Sequence, residues 1–197
     1  MLFDFLIICD NNENTIKDAI LSALDEVKRR KAGNVFIVDN ASTDNSWQVI
    51  SKLMMEEQVA NRTYCCALRN DYKVSDLQIL LSYAPMATEN SFIGILRGTS
   101  TLYEGGLQFI DTYVKTPFEV VGILYGDYVK WYDNLSVNIH QFSFDTNPPI
   151  LDGSVFVNSE VLKKVSLQNE KTLSDLYKSV SSKFLAIHVP KILTVER

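Results

Sequence analysis

The sequence predicts an α/β fold, an open, mostly parallel twisted sheet with helices on both faces, regular in its first half and shorter and more irregular in its second. Three observations predict it. Apolar runs of strand length alternate with segments of helical periodicity over the first hundred or so residues. The connections between them are short, as in βαβ units, where a helix supplies the crossover that parallel strands need. Polar clusters follow the apolar runs, at Asp10 to Asn14, Asp39 to Ser46 and Arg97 to Thr101.

The elements follow in order. Leu2 to Cys9 is a short run with β-branched and aromatic content that ends in Asp10-Asn11-Asn12-Glu13-Asn14, a buried strand entering a polar turn. Thr15 and Asp18 have capping-box spacing, and Ile16, Ile20, Ala23, Leu24 and Val27 recur at helical spacing. Lys28-Arg29-Arg30-Lys31 complements the dipole at the end of that helix, and Gly33 suits the left-handed residue that closes it. Asn34 to Asp39 is a second buried strand, Asn40 to Asn45 a loop and cap, and Trp47, Ile50 and Met54 mark the next helix. A third strand is predicted near Thr63 to Leu68, a helix through Leu77, Leu80, Leu81 and Ala84, and a strand over Phe92 to Leu96. Leu107, Ile110 and Val114 fit a helix ended by Pro117.

The pattern then changes. Val120 to Tyr132 is strand-like, interrupted by Gly126-Asp127, and residues 133–150 mix a turn, Phe142-Ser143-Phe144 and the break Asn147-Pro148-Pro149. Val155 to Val157 is short and extended, helices are predicted at 159–165 and 172–183, and Leu185 to Val189 is a last strand before Pro190. No internal repeat and no long linker occurs. The sequence therefore predicts a single domain over 1–197, with a ligand-binding half at 1–116 and a second half at 117–197 on the same core.

Composition narrows the function. A chain of 197 residues with 46% hydrophobic and 22% charged residues folds, which excludes disorder and low-complexity arrays. Nineteen Lys and Arg against 24 Asp and Glu give a net charge of 19 − 24 = −5. Nucleic-acid affinity comes mainly from neutralising phosphates, so no nucleic-acid partner is expected. The basic run at 28–31 has a structural explanation in its helix end. A small phosphorylated molecule can still be held by local donors. Cys9, Cys65 and Cys66 have no zinc-site spacing and read as reduced thiols of a cytosolic protein. His140 and His188 lie far apart in sequence and form no ligand pair. The N-terminus lacks a basic region before its apolar run, and no uncharged stretch reaches ~18 residues. A cytoplasmic protein without a membrane span is the expectation.

In an open parallel sheet, ligands sit beyond the carboxyl ends of the strands, where the three polar clusters fall. A dinucleotide site needs a glycine-rich turn after the first strand, and residues 9–18 contain no glycine. No Gly-x4-Gly-Lys-Ser/Thr loop and no Gly-x-Ser-x-Gly elbow occurs either.

Two blocks carry a resemblance. Phe5-Leu-Ile-Ile-Cys-Asp-Asn-Asn-Glu-Asn-Thr-Ile16, followed by Val38-Asp-Asn-Ala-Ser-Thr-Asp-Asn-Ser46, resembles the opening of family 2 glycosyltransferases of the GT-A fold. Members of that family open with an apolar strand, a Tyr-Asn-x-Glu-like turn, a helix and then Val-Asp-Asp/Asn-x-Ser-Thr-Asp-x-Ser. Fainter similarity continues at Leu124-Tyr-Gly-Asp-Tyr128, at Gly153 to Leu162 and at His188-Val-Pro190. The resemblance implies a site for a nucleotide-diphospho-sugar. Asp39 matches the acid that hydrogen-bonds the nucleotide, the turn Asp10 to Glu13 would flank the base, and the implied binding set is Asp10, Asn11, Glu13, Asp39, Asn40, Ser42 and Thr99. A carboxylate suits that task through charge-assisted hydrogen bonds. Plain turn and cap chemistry is the structural alternative for Asp39 to Ser46.

The family's chemistry needs two further parts. A divalent Mg²⁺ or Mn²⁺, held by an Asp-x-Asp motif after an apolar strand, neutralises the departing diphosphate. The matching stretch reads Arg97-Gly98-Thr99-Ser100-Thr101, without a carboxylate. A base that takes the acceptor proton comes from a Glu-Asp-x-Asp-like segment opening a late helix. Here that stretch is Thr172-Leu-Ser-Asp-Leu-Tyr177, with Leu173 at the base position and Asp175 the acid that is left. Asp175 is a catalytic candidate, and its structural alternative is a helix-start acid. Two readings follow: transfer to a saccharide or other hydroxyl acceptor without a tightly held metal, Arg97 supplying charge at the diphosphate, or a catalytically inactive GT-A module binding sugar or protein in an assembly. The aromatics Tyr125, Tyr128, Trp131 and Tyr132 could stack on a sugar or a protein partner, with strand packing as the alternative.

Overall fold

The computed structural model describes residues 1–61, 65–131, 137–140, 155–164 and 171–196. Its first half is β1 (Leu2–Cys9), α1 (Ile16–Arg30), β2 (Val35–Asp39), α2 (Ser46–Asn61), β3 (Cys65–Arg69), α3 (Asp76–Tyr83), β4 (Ser91–Arg97), β5 (Ser100–Leu102) and α4 (Gly106–Tyr113). There follow β6 (Val121–Trp131), β7 (Val137–His140), β8 (Val155–Asn158), α5 (Ser159–Lys164), α6 (Leu173–Ser181) and β9 (Leu185–Glu196).

One sheet runs through both halves in the order β3-β2-β1-β4-β8-β6-β9-β5, with β7 paired to β6. The strands β3, β2, β1 and β4 are mutually parallel. β8 is antiparallel to both β4 and β6, and β6 and β9 are parallel again. The carboxyl ends of β1, β2, β3 and β4 therefore share one edge.

β1 reads as an unbroken apolar run because both of its faces are covered. Phe3, Phe5 and Ile7 join a layer with Ile16, Ile20 and Leu24 of α1 and Leu107 and Ile110 of α4. Leu6 and Ile8 join the opposite layer with Leu77 and Leu80 of α3 and Leu173, Leu176 and Val180 of α6. In the first layer Phe156 meets Phe3 edge to face at 5.4 Å between centroids. That ring lies where a side chain at Gly94 would stand, which is why β4 carries glycine there.

Three local expectations are corrected. Thr15 makes no side-chain cap: its backbone, at φ −124 and ψ −24, continues a turn in which Asn12 O accepts from both Thr15 N and Ile16 N. The left-handed residue that closes α1 is Lys31, at φ 55, and not Gly33. Gly33 has its own positive φ of 106 and lies against the Phe3 carbonyl, so glycine is required two residues later than the cap. The last strand does not stop at Pro190. The β6–β9 ladder passes from Gly126↔Val189 to Asp127↔Ile192, so the bulge absorbs Pro190, whose missing N–H costs no ladder bond there. The short β5, whose three residues pair with the end of β9, carries no sequence signal of its own. Phe142-Ser143-Phe144, Asn147-Pro148-Pro149 and Tyr132 lie outside the described residues.

Candidate functional site

The residues after β1 and those after β2 form one hydrogen-bonded lattice. Asn11 N donates to Ser42 Oγ at 3.0 Å, Asn12 N to Ser46 Oγ at 2.8 Å and Glu13 N to Asp44 Oδ2 at 3.1 Å. In return Thr43 N donates to Asn11 Oδ1 at 2.8 Å, and Asn45 N to Glu13 Oε2 at 2.9 Å. Asn11 and Ala41 take φ of 55 and 56, which turns each loop back toward the other. The short side chains of the Asn-Ala-Ser-Thr-Asp-Asn-Ser block are what let the loops approach this closely. Gly98, after β4, joins them: its N–H donates to Ile8 O at 2.9 Å, and a side chain there would collide with Asn12. Thr99 is half-buried in the same turn.

Asp39 stands at the centre, at the end of β2, with no exposed surface. Its Oδ1 accepts from Ser42 N at 3.3 Å. Its Oδ2 lies 3.2 Å from Arg69 Nε, but the N–H is not aimed at it, and it accepts no hydrogen bond among the described residues. Asn40 turns the other way: it accepts from Val74 N and donates to Val74 O, both at 2.9 Å, which fixes the residues after β3 to the end of β2.

Three cations meet carboxylates along this edge. Arg69 faces Asp39 and also donates to Ser42 O at 3.1 Å, Lys73 pairs with Asp10, and Arg97 makes a two-point contact with Asp76 in the first turn of α3. A cleft of about 580 Å³ runs beside them, lined by Val38, Leu68, Asn70, Tyr72, Lys73 and Tyr83 among others. Asp39, Asp10 and Thr99 do not line it. Burial pushes the Cys9 thiol up, although Ser42 lies beside it.

The structure thus brings Asp10, Asn11, Glu13, Asp39, Asn40 and Ser42 together, with Arg97 and Thr99 next to them across β1 and β4. Asp175 stands in the first turn of α6, where it caps the helix. Its Oδ2 accepts from Thr172 N at 3.0 Å and Thr172 Oγ1 at 2.8 Å, while Asp175 N donates back to Thr172 Oγ1. These bonds, first that of the Thr172 hydroxyl, hold its carboxyl below the ordinary value. A lowered carboxyl stabilises the fold above its unfolded pKa and loses that contribution as pH falls through the folded one. Asp175→Asn is expected to remove the acid-dependent part of the α6 cap, read as a smaller loss of melting temperature between pH 5 and pH 3 than in the parent.

Sequence reasoning missed Arg69, Asn70, Lys73 and Asp76. The sequence carries a signal for them, since Arg69-Asn70-Asp71-Tyr72-Lys73 follows the third strand predicted near Thr63 to Leu68. What the sequence withheld was that β3 is parallel to β2 and adjacent to it, which delivers those residues to the same edge. Among the described residues no set of ligands fits a divalent metal. The turn after β4 offers no carboxylate, and among the described residues no group of three or more His, Cys, Asp or Glu could hold an ion. Of the aromatics, Tyr125 is buried, and burial pushes its phenol up to about 12. No helix among the described residues is long and apolar enough to cross a membrane.

No protein-family model matches the chain, and no curated protein does. Solved structures do. TarS 1–349 from S. aureus superposes with a TM-score of 0.70 at 14% identity, over 100% of this chain and 60% of that one. The mannosyltransferase PcManGT from Pyrobaculum calidifontis, in complex with GDP-Man and Mn²⁺, gives 0.71 at 14% identity over 98% of this chain and 56% of that one. TarS 1–349 in complex with UDP-GlcNAc gives 0.66 at 13% identity over 99% of this chain and 58% of that one. The chain thus spans little more than half the length of these proteins. At such identities the likeness is one of fold, and it is the GT-A-type glycosyltransferase fold that the two sequence blocks imply.

Proposed function

We propose that this chain, built on the GT-A-type glycosyltransferase fold, binds a nucleotide-diphospho-sugar at the carboxyl ends of β1, β2 and β4 and passes the sugar to a saccharide or other hydroxyl acceptor without a tightly held metal. The observation that supports it is the Asp39 carboxylate. A buried acceptor oxygen that receives no hydrogen bond is costly, and a base N–H or ribose hydroxyl would satisfy it. Asp10, Asn11, Glu13, Asn40 and Ser42 hold the loops in place around it, and Thr99 stands beside them on the β4 side. Arg97 and Arg69 supply the positive charge that a departing diphosphate needs. Asp76 and Asp39 offset that charge in the resting state.

A second reading, an inactive binding or structural module, is favoured by two observations. Each of Arg69, Lys73 and Arg97 already faces a carboxylate, and the base position at the start of α6 is the buried Leu173.

Melting curves with UDP, GDP and their sugars separate the two. A ligand at 100-fold its Kd stabilises by about 2.7 kcal/mol, which for a chain of this size is a rise of roughly 5–10 °C. The same rise is expected with and without Mn²⁺. No rise at millimolar ligand overturns nucleotide binding and leaves the module. Arg97→Ala is expected to weaken UDP more than uridine; equal weakening of both would mean that Arg97 acts only by holding Asp76 and α3.

A further inference from the structure

We infer that His188, oriented by Asp127, takes the proton from the attacking hydroxyl, the role that the start of α6 does not fill. This rests on the transferase reading above. The two residues are 61 apart in sequence, and the β6–β9 pairing brings them together: His188 Nε2 lies 3.0 Å from Asp127 Oδ1. A carboxylate only accepts, so Nε2 of the neutral ring carries the hydrogen and Nδ1 carries the lone pair. Tyr125, opposite His188 in the ladder, stacks on the imidazole with centroids 5.2 Å apart and planes at 27°. The ring is thereby fixed in plane and in tautomer. Asp127 is buried, whereas the His188 side chain is 31% exposed, and Nδ1 makes no hydrogen bond among the described residues.

The pair also stands in the right part of the fold. Gly94, Phe156 and Leu124 are opposite one another across β4, β8 and β6. Arg97 is three residues beyond Gly94 and Asp127 three residues beyond Leu124, so both lie at one level of the sheet, two strand spacings or about 10 Å apart. Tyr125 belongs to the core layer under α3 and α6, the face from which Arg97 reaches Asp76. Val180 of α6 and Phe184 after it lie against Gly122, five residues before Asp127 on β6.

The step balances without a further reactant. The acceptor oxygen bonds to the anomeric carbon, and the bond from that carbon to the diphosphate oxygen breaks, leaving its electron pair on the diphosphate. The hydroxyl proton moves to Nδ1, and Asp127 stabilises the imidazolium that forms. With water as acceptor the products are free sugar and nucleoside diphosphate. The competing account is that the pair merely staples the bulge between β6 and β9.

Release of UDP from UDP-GlcNAc and of GDP from GDP-Man by the full chain in water tests this, alongside the Kd for UDP and GDP. His188→Ala is expected to lower kcat by about 10²–10⁴-fold while nucleotide Kd changes by less than about twofold, and added imidazole is expected to restore part of the rate. Asp127→Asn keeps the shape, and its amide N–H can face Nε2, which moves the ring proton to Nδ1 and lowers kcat without lowering nucleotide affinity. Unchanged kcat in His188→Ala overturns the inference, as does a loss without imidazole rescue that tracks a fall in melting temperature. Nucleotide binding without release from either sugar nucleotide overturns the role of His188 and leaves donor binding standing. Failure to bind UDP or GDP overturns the transferase reading itself, and the inference with it.

Discussion

Asp4→Ala is expected to lower the unfolding free energy by about 4 kcal/mol, a large part of the stability of an ordinary domain. Asp4 is fully buried inside the apolar run of β1. Its two oxygens accept from Asn34 N at 2.7 Å, Thr88 N at 2.6 Å, Thr88 Oγ1 at 2.8 Å and Ser91 Oγ at 3.0 Å. Alanine leaves these buried and half-buried donors without their acceptor, and each such group costs about 1–3 kcal/mol, less than additively. The hydroxyls of Thr88 and Ser91 can turn elsewhere; the two backbone N–H groups cannot. Asp4→Asn keeps one acceptor oxygen and should cost roughly half as much. Urea unfolding followed by circular dichroism measures both, with the slope against urea unchanged. A loss under about 1 kcal/mol in Asp4→Ala would mean that the segments before β2 and β4 are held by something other than this carboxylate.

The second large effect is expected from Gly33→Ala. The residue has φ 106, where an L side chain is strained by about 1–3 kcal/mol. Its β-carbon would also fall inside the van der Waals envelope of the Phe3 carbonyl oxygen. That oxygen is backbone within a central strand and cannot swing aside, so β1 or the segment leading into β2 must shift. The expected loss is about 3 kcal/mol or more, seen as a fall in the urea midpoint. Gly105→Ala is the control: it shares a positive φ, at 77, but an added β-carbon there meets nothing within 4 Å, so it should lose only the conformational part. Equal losses in the two variants would show that strain, and not the contact with Phe3, makes Gly33 necessary.

The first half of the fold was legible because each of its strands and helices announces itself locally. Leu2 to Cys9 and Asn34 to Asp39 are apolar throughout, and Ile16 to Val27 keeps helical spacing to its end. The loops of the candidate site were legible for a related reason, since the polar residues that close them must be short. Misreadings arose where geometry depends on a distant partner. Gly33 was placed at a helix end because glycine often stands there, while the residue that constrains it is Phe3 on β1. Pro190 was read as a stop because the bulge that accommodates it is created by Gly126 and Asp127 on β6. Arg97 is legible in the sequence as a cation after β4, but its partner Asp76 is not, because the packing of α3 delivers it.

The sequence by itself determined the α/β class, the polar loops after β1 and β2, and the lack of a carboxylate in Arg97-Gly98-Thr99-Ser100-Thr101. These are properties of contiguous residues, written in periodicity and residue type. Only the tertiary structure decided which charges meet. The parallel pairing of β3 with β2 set Arg69 against Asp39, and the packing of α3 set Asp76 against Arg97. The β6–β9 ladder set His188 against Asp127, two residues with no relation in sequence. Charge pairing depends on distances of a few ångströms between side chains tens of residues apart, and folding of the whole sheet fixes those distances.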